Sequence, residues 1–89
     1  MDIELLNWIK DGPYRIRVLK VLLKGSKLSS ELALSLNINR ASMSRILRLL
    51  KQRNLVSAVS GNSRTVTYVI SEKGREVLAD MGLDANEAN

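Results

Sequence analysis

The segment Asn39-Arg-Ala-Ser-Met-Ser-Arg-Ile-Leu-Arg-Leu-Leu-Lys-Gln-Arg53 holds the residues best suited to chemistry in this 89-residue chain. Wound as an α-helix, at about 100° per residue, it places Met43, Ile46, Leu47 and Leu50 on one apolar stripe. Ala41, Ser44, Arg45, Arg48 and Gln52 fall on the opposite face, which carries no acid. Small residues let a helix approach a duplex groove closely, and Arg reaches both phosphate oxygens and guanine edges. No acid lies three or four residues from Arg45 or Arg48, so intrahelical ion pairing does not account for them. The competing reading is a solvated basic face that aids solubility.

Other chemistries lack their residues. There is no Cys and no His. Disulfides, thiolate nucleophiles, zinc sites built from Cys or His, and His-based acid–base catalysis are therefore excluded. Neither enzymatic activity, nor a metal, nor a cofactor is expected. The net charge is +5, and its distribution is uneven: residues 13–64 carry eleven Lys or Arg against Glu31 alone, while the remaining acids gather at the two ends. A block of one sign makes a focused field that attracts a polyanion. Asp2 and Glu4 stand where a signal peptide would be basic, and no apolar run approaches the roughly 20 residues of a membrane span. The expected location is the cytoplasm, in association with the nucleoid.

The elements that must position the basic helix are legible from period and punctuation. Asp2 to Lys10 reads as a short helix, with Ile3, Leu6 and Ile9 on one face and Leu5 and Trp8 beside them. Gly12-Pro13 breaks the chain, and Pro13 suits a first helical position. A helix from about Pro13 to Lys24 stops at Gly25. Ser26 to Leu28 is a brief connection, Ser29 is the expected N-cap of a helix to about Leu36, and Glu31 adds negative charge to its first turn. Asn37 tolerates the left-handed conformation that ends a helix, Ile38 plugs the turn and Asn39 caps the basic helix. Two helices joined by so short a turn are a helix–turn–helix signature. Asn54 ends the basic helix. Leu55 to Ser60 and Thr65 to Ile70 then read as strands joined by Gly61-Asn62-Ser63-Arg64, with Val66, Tyr68 and Ile70 alternating with Thr65, Thr67 and Val69. Ser71 caps a last helix that turns Val77, Leu78 and Met81 inward, and an acidic tail follows Gly82. One domain is expected over residues 1–89, with an N-terminal helix at 1–12, a core at 13–81 and a frayed tail at 82–89.

This order of elements resembles the winged helix–turn–helix superfamily, in particular compact MarR-like and ArsR-like regulators. The resemblance is carried by residues 29–56, from Ser29-Ser-Glu-Leu-Ala-Leu-Ser-Leu-Asn-Ile-Asn39 into the basic helix. Tyr68-Val-Ile-Ser-Glu-Lys-Gly-Arg-Glu-Val-Leu78 is similar to the strand-to-helix junction of these regulators. It implies an α+β, mainly α fold: a three-helix core, a two-stranded wing hairpin, and flanking N- and C-terminal helices. It implies sequence-specific binding of double-stranded DNA by a small transcriptional regulator. Residues 40–53 become the recognition helix, with Arg40, Ser42, Ser44, Arg45 and Arg48 as groove contacts and Gln52 nearer a phosphate. Asn62 and Arg64 fall at the wing tip. Ser29 and Ser30, at a helix start, would receive a phosphate on backbone N–H groups. The chain departs from these groups in placing Asn at positions 37 and 54, where Gly is common. It lacks the metal-binding cysteines of many ArsR-like proteins and is too short for the long dimer helices of MarR-like ones.

Readers of this kind commonly match a two-fold protein to two half-sites. A homodimer is therefore expected, joined by the terminal helices through Leu5, Trp8, Ile9, Leu78 and Met81. Two other functions compete: a winged-helix module that binds another protein in a transcription or replication complex, and an architectural protein that binds DNA without sequence preference.

Overall fold

The computed structural model describes residues 2–61 and 65–82. Among them the chain runs α1 (Ile3–Asp11), α2 (Pro13–Leu22), β1 (Lys27–Leu28), α3 (Ser29–Leu36), α4 (Arg40–Gln52), β2 (Val56–Ser60), β3 (Val66–Ile70) and α5 (Glu72–Asp80). Three helices begin on a side-chain cap. Asp2 accepts the Leu5 N–H at 3.1 Å, Asn39 accepts the Ser42 N–H at 2.8 Å, and the Ser71 hydroxyl accepts the Gly74 N–H at 3.0 Å. Each satisfies a donor that the helix start leaves without a partner. Gly12 alone separates α1 from α2, which opens on Pro13.

Ser29 is not the cap of α3. It is the first helical residue, and Leu28 takes the cap position in extended conformation. The Leu28 N–H donates to the Glu31 carboxylate at 2.8 Å. The chain passes directly from strand to helix at this point, so no separate capping residue intervenes.

Both helices of the helix–turn–helix end as the two asparagines suggest. Asn37 and Asn54 have φ of 56° and 62°. After α3 the Asn37 N–H reaches Leu34 O at 3.2 Å and the Ile38 N–H reaches Ala33 O at 3.0 Å; after α4 the Asn54 N–H reaches Lys51 O at 3.0 Å and the Leu55 N–H reaches Leu50 O at 2.9 Å. These paired bonds close a helix through a left-handed residue. Gly should replace either Asn with little change, whereas Val at either position should cost about 1–2 kcal/mol because its Cβ opposes the left-handed backbone. Thermal unfolding of the four variants checks this.

The wing is larger than a hairpin. The sheet has three antiparallel strands in the order β1-β3-β2. Lys27 and Leu28 pair with Tyr68 and Thr67, and β2 pairs with β3 from Val56↔Ile70 to Ser60↔Val66. The connection expected at residues 26–28 therefore contains a strand, of two residues only and so too short to carry a period. β3 lies at the centre of the sheet. Its residues Val66 to Val69 are all half-buried instead of alternating, and Ile70 is buried.

The core draws on every helix: Leu5 and Ile9; Val18, Leu19 and Leu22; Leu32, Ala33 and Leu36; Met43, Leu47 and Leu50; Val77 and Leu78. Leu55, Val56 and Ile70 join from the sheet and its approach. This corrects the expected dimer surface. Leu5, Ile9 and Leu78 are 3%, 0% and 0% exposed, so they are consumed by their own domain and have no area left for a second copy. Trp8 and Met81 are half-buried against the same core. An amphipathic helix must bury its stripe, and α1 buries Leu5 and Ile9 on its own chain while Ile3 stays 69% exposed.

α5 is seated on the base of the sheet through Ser71 and Gly74. The Ser71 hydroxyl donates to Asn54 O at 2.6 Å, and its N–H donates to Leu55 O at 3.0 Å. A Cβ on Gly74 would stand 2.5 Å from Leu55 O and 2.7 Å from Ile70 Cγ1. Since the first of these is backbone, Gly74→Ala should destabilise by about 1–3 kcal/mol, as other overpacked sites do, read as a lowered midpoint in urea.

Candidate nucleic-acid interface

α4 separates into two faces as its sequence dictates. Met43, Leu47 and Leu50 are 0%, 1% and 0% exposed and anchor the helix. Arg40, Ala41, Ser44, Arg45, Arg48, Lys51 and Gln52 are exposed. Ser42 is half-buried, and its backbone N–H is engaged by Asn39. No carboxylate among the described residues forms an ion pair with Arg40, Arg45 or Arg48. Unneutralised cations on a rigid helix keep their charge for a ligand, and Arg presents a planar fork that matches phosphate and guanine edges.

Around the start of α4 the fold gathers further polar groups. Ser30 and Arg40 line one surface groove together with Glu31, Leu34, Ile38 and Asn39. Ser29, the first residue of α3, is half-buried and lies outside that groove. Beyond the Ser60↔Val66 pair, the Gly61 N–H donates to Thr65 O at 3.2 Å. Asn62 and Arg64, the expected wing-tip contacts, lie outside the described residues.

The profile of the HxlR-like helix-turn-helix family matches residues 9–83. The chain belongs to this family. Solved structures share its fold. A MarR-family transcriptional regulator from Enterococcus faecalis V583 aligns with a TM-score of 0.82 at 23% identity, covering 90% of this chain and 76% of that one. Reduced HlyU from Vibrio cholerae N16961 aligns at 0.74 with 28% identity, covering 89% and 79%. The adhesin competence repressor AdcR from Streptococcus pyogenes aligns at 0.74 with 15% identity, covering 80% and 55%. The HxlR-like chain thus spans little more than half the length of AdcR. No curated protein matches its sequence. The winged helix–turn–helix resemblance holds, and HxlR-like is the group within it.

One feature of this HxlR-like domain has no sequence signal. Arg53, the residue that ends α4, places its guanidinium carbon 4.6 Å from the centroid of the Trp8 ring, and Arg15 places its own 4.0 Å from the same ring. Arg15 also donates to the Trp8 carbonyl. These cation–π contacts tie α1 to the end of α4 and withdraw two cations from the solvent-facing set. Arg53→Ala should therefore cost about 0.5–1 kcal/mol of stability while leaving the salt dependence of any nucleic-acid binding unchanged. Unfolding and binding titrations on one preparation test both halves.

Proposed function

We propose that this HxlR-like protein is a transcriptional regulator that binds double-stranded DNA in a sequence-specific manner, with α4 in the major groove and the wing on the adjacent minor groove or backbone. The observation that carries this reading is the outer face of α4. Arg40, Ser44, Arg45 and Arg48 stand exposed on a helix locked from behind by Met43, Leu47 and Leu50, with no acid among them. Arg45 and Arg48 read base edges. Arg40, Lys51 and Gln52 hold phosphates, with Ser29 and Ser30 receiving a phosphate at the start of α3. The protein acts as a homodimer over a pseudo-palindrome, through surface that the core leaves over: Ile3, which is 69% exposed, and the half-buried Leu6, Trp8 and Met81. It is not an enzyme, uses no metal, and works in the cytoplasm on the nucleoid. Among the described residues no helix is long and apolar enough to cross a membrane.

Selection from a random-oligonucleotide pool at two salt concentrations tests the reading. An enriched palindromic motif supports it. Salt-sensitive retention without a motif indicates an architectural binder, and no retention at low salt indicates a protein-interaction module.

A further inference from the structure

A second set of cations stands apart from α4. Arg17 and Lys20 on α2, with Lys24 just beyond its end, recur at i, i+3 and i+7, the spacing that aligns side chains along one side of a helix. With Val21 they wall a surface cleft that reaches Leu36 at the end of α3, and no α4 residue lines it. Arg17 is held in place: its guanidinium carbon lies 5.5 Å from the Tyr14 ring centroid, and Tyr14 packs half-buried against the core. Lys20 is half-buried, while Arg17 and Lys24 are exposed. No carboxylate lines the cleft. Of the two acids that flank the ridge in sequence, Asp11 ends α1 and does not line the cleft, and Glu31 accepts the Leu28 N–H and lines the neighbouring groove with Lys27 and Leu34. The helix dipole accounts for a cation in the last turn of α2. It does not account for Arg17 nearly a turn earlier, or for three cations converging on one cleft.

We propose that the Arg17–Lys20–Lys24 ridge is a second polyanion contact, which takes the sugar–phosphate backbone of duplex DNA outside the segment engaged by α4. This rests on the DNA-binding reading above and adds to it. A helix seated in a groove occupies one side of a duplex, and cations on a separate surface reach phosphates of a flanking, curved segment or of a second duplex. They contribute counterion release and no base readout. The ridge raises affinity for long DNA and leaves the sequence preference to α4.

The test uses the full chain, two duplexes and a salt series. One duplex carries only the selected site, and the other carries the same site with long random flanks. The triple variant Arg17→Gln, Lys20→Gln, Lys24→Gln is compared with the unsubstituted protein after matched thermal unfolding. On the long duplex, the variant should show a slope of log K against log salt that is shallower by up to about 2.7, and at least about tenfold weaker binding at low salt. On the short duplex it should match the unsubstituted protein. Arg17→Gln alone, at an exposed side chain, should give a smaller change of the same kind. An unchanged slope on the long duplex overturns the proposal while leaving α4 as the reader. An equal loss on both duplexes also overturns it, by placing the ridge on the α4 segment. If the unsubstituted protein binds neither duplex, the DNA-binding reading and the ridge fall together.

Discussion

Arg48→Ala is expected to cost about 1–3 kcal/mol on the selected DNA site and much less on random duplex of equal length, and Arg45→Ala should behave alike. The expectation follows from the geometry of α4. Both guanidinium groups belong to the exposed face of a helix anchored from behind by buried Met43, Leu47 and Leu50, and neither has an ion-pair partner among the described residues. A bidentate contact to a guanine edge is worth that much discrimination against a wrong base. The two positions lie three residues apart, nearly one turn. If they read separate bases and do not couple, the double variant is weaker by about 1.5 to 4.5 powers of ten, and a departure from that sum measures the coupling expected of helix neighbours. Equal losses on selected and random DNA would reassign both residues to phosphate contacts. Lysine substitution separates charge from shape: Arg48→Lys keeps the phosphate attraction but loses the fork, and should recover affinity for random DNA without recovering the preference.

The largest stability effect is expected inside the N-terminal helix. Ile9 is 0% exposed, and Ile9→Ala should destabilise by about 2–5 kcal/mol, the lost transfer free energy plus the cavity left behind. In a domain of this size the whole stability is of order 5–15 kcal/mol, and the melting midpoint should fall by about 10–30 °C. Because Leu5 and Ile9 pack into their own domain, this loss should be the same at every protein concentration. A loss that shrinks as concentration rises would place Ile9 itself between two copies instead. Ile3→Ala, at a residue 69% exposed in one copy, serves as the contrast: it should stay within about 0.5 kcal/mol at concentrations where the protein is monomeric and weaken the proposed dimer.

The contrast between these two helices explains what the sequence made legible. In α4 the type of residue on each face carries the answer: leucines and a methionine on one side, arginines and serines on the other. The turn chemistry was equally plain, since Asn37 and Asn54 occupy left-handed positions that few non-glycine residues tolerate. In α1 the apolar stripe was visible, but a stripe states only that something covers it. Whether the cover is the same chain or a second copy depends on the path from Gly12 onward, which periodicity does not encode. That is why Leu5, Ile9 and Leu78 read as interface and proved to be core. β1 escaped notice because two residues cannot show an alternation. Its existence depends on β3, some forty residues later, offering a free edge at Thr67 and Tyr68. Arg15 and Arg53 are two of the eleven cations of residues 13–64, and they converge on Trp8 from different helices, a tertiary meeting without any local mark.

The claim on which the account depends is that the outer face of α4 touches DNA. The side-chain Nε–H resonances of the arginines report this one residue at a time. On titration with the selected duplex, the signals of Arg45 and Arg48 should shift strongly, while those of Arg15 and Arg53, held on Trp8, stay near their free positions. Shifts confined to Arg15 and Arg53, or a bound state in which Arg45 and Arg48 do not move, would contradict the account.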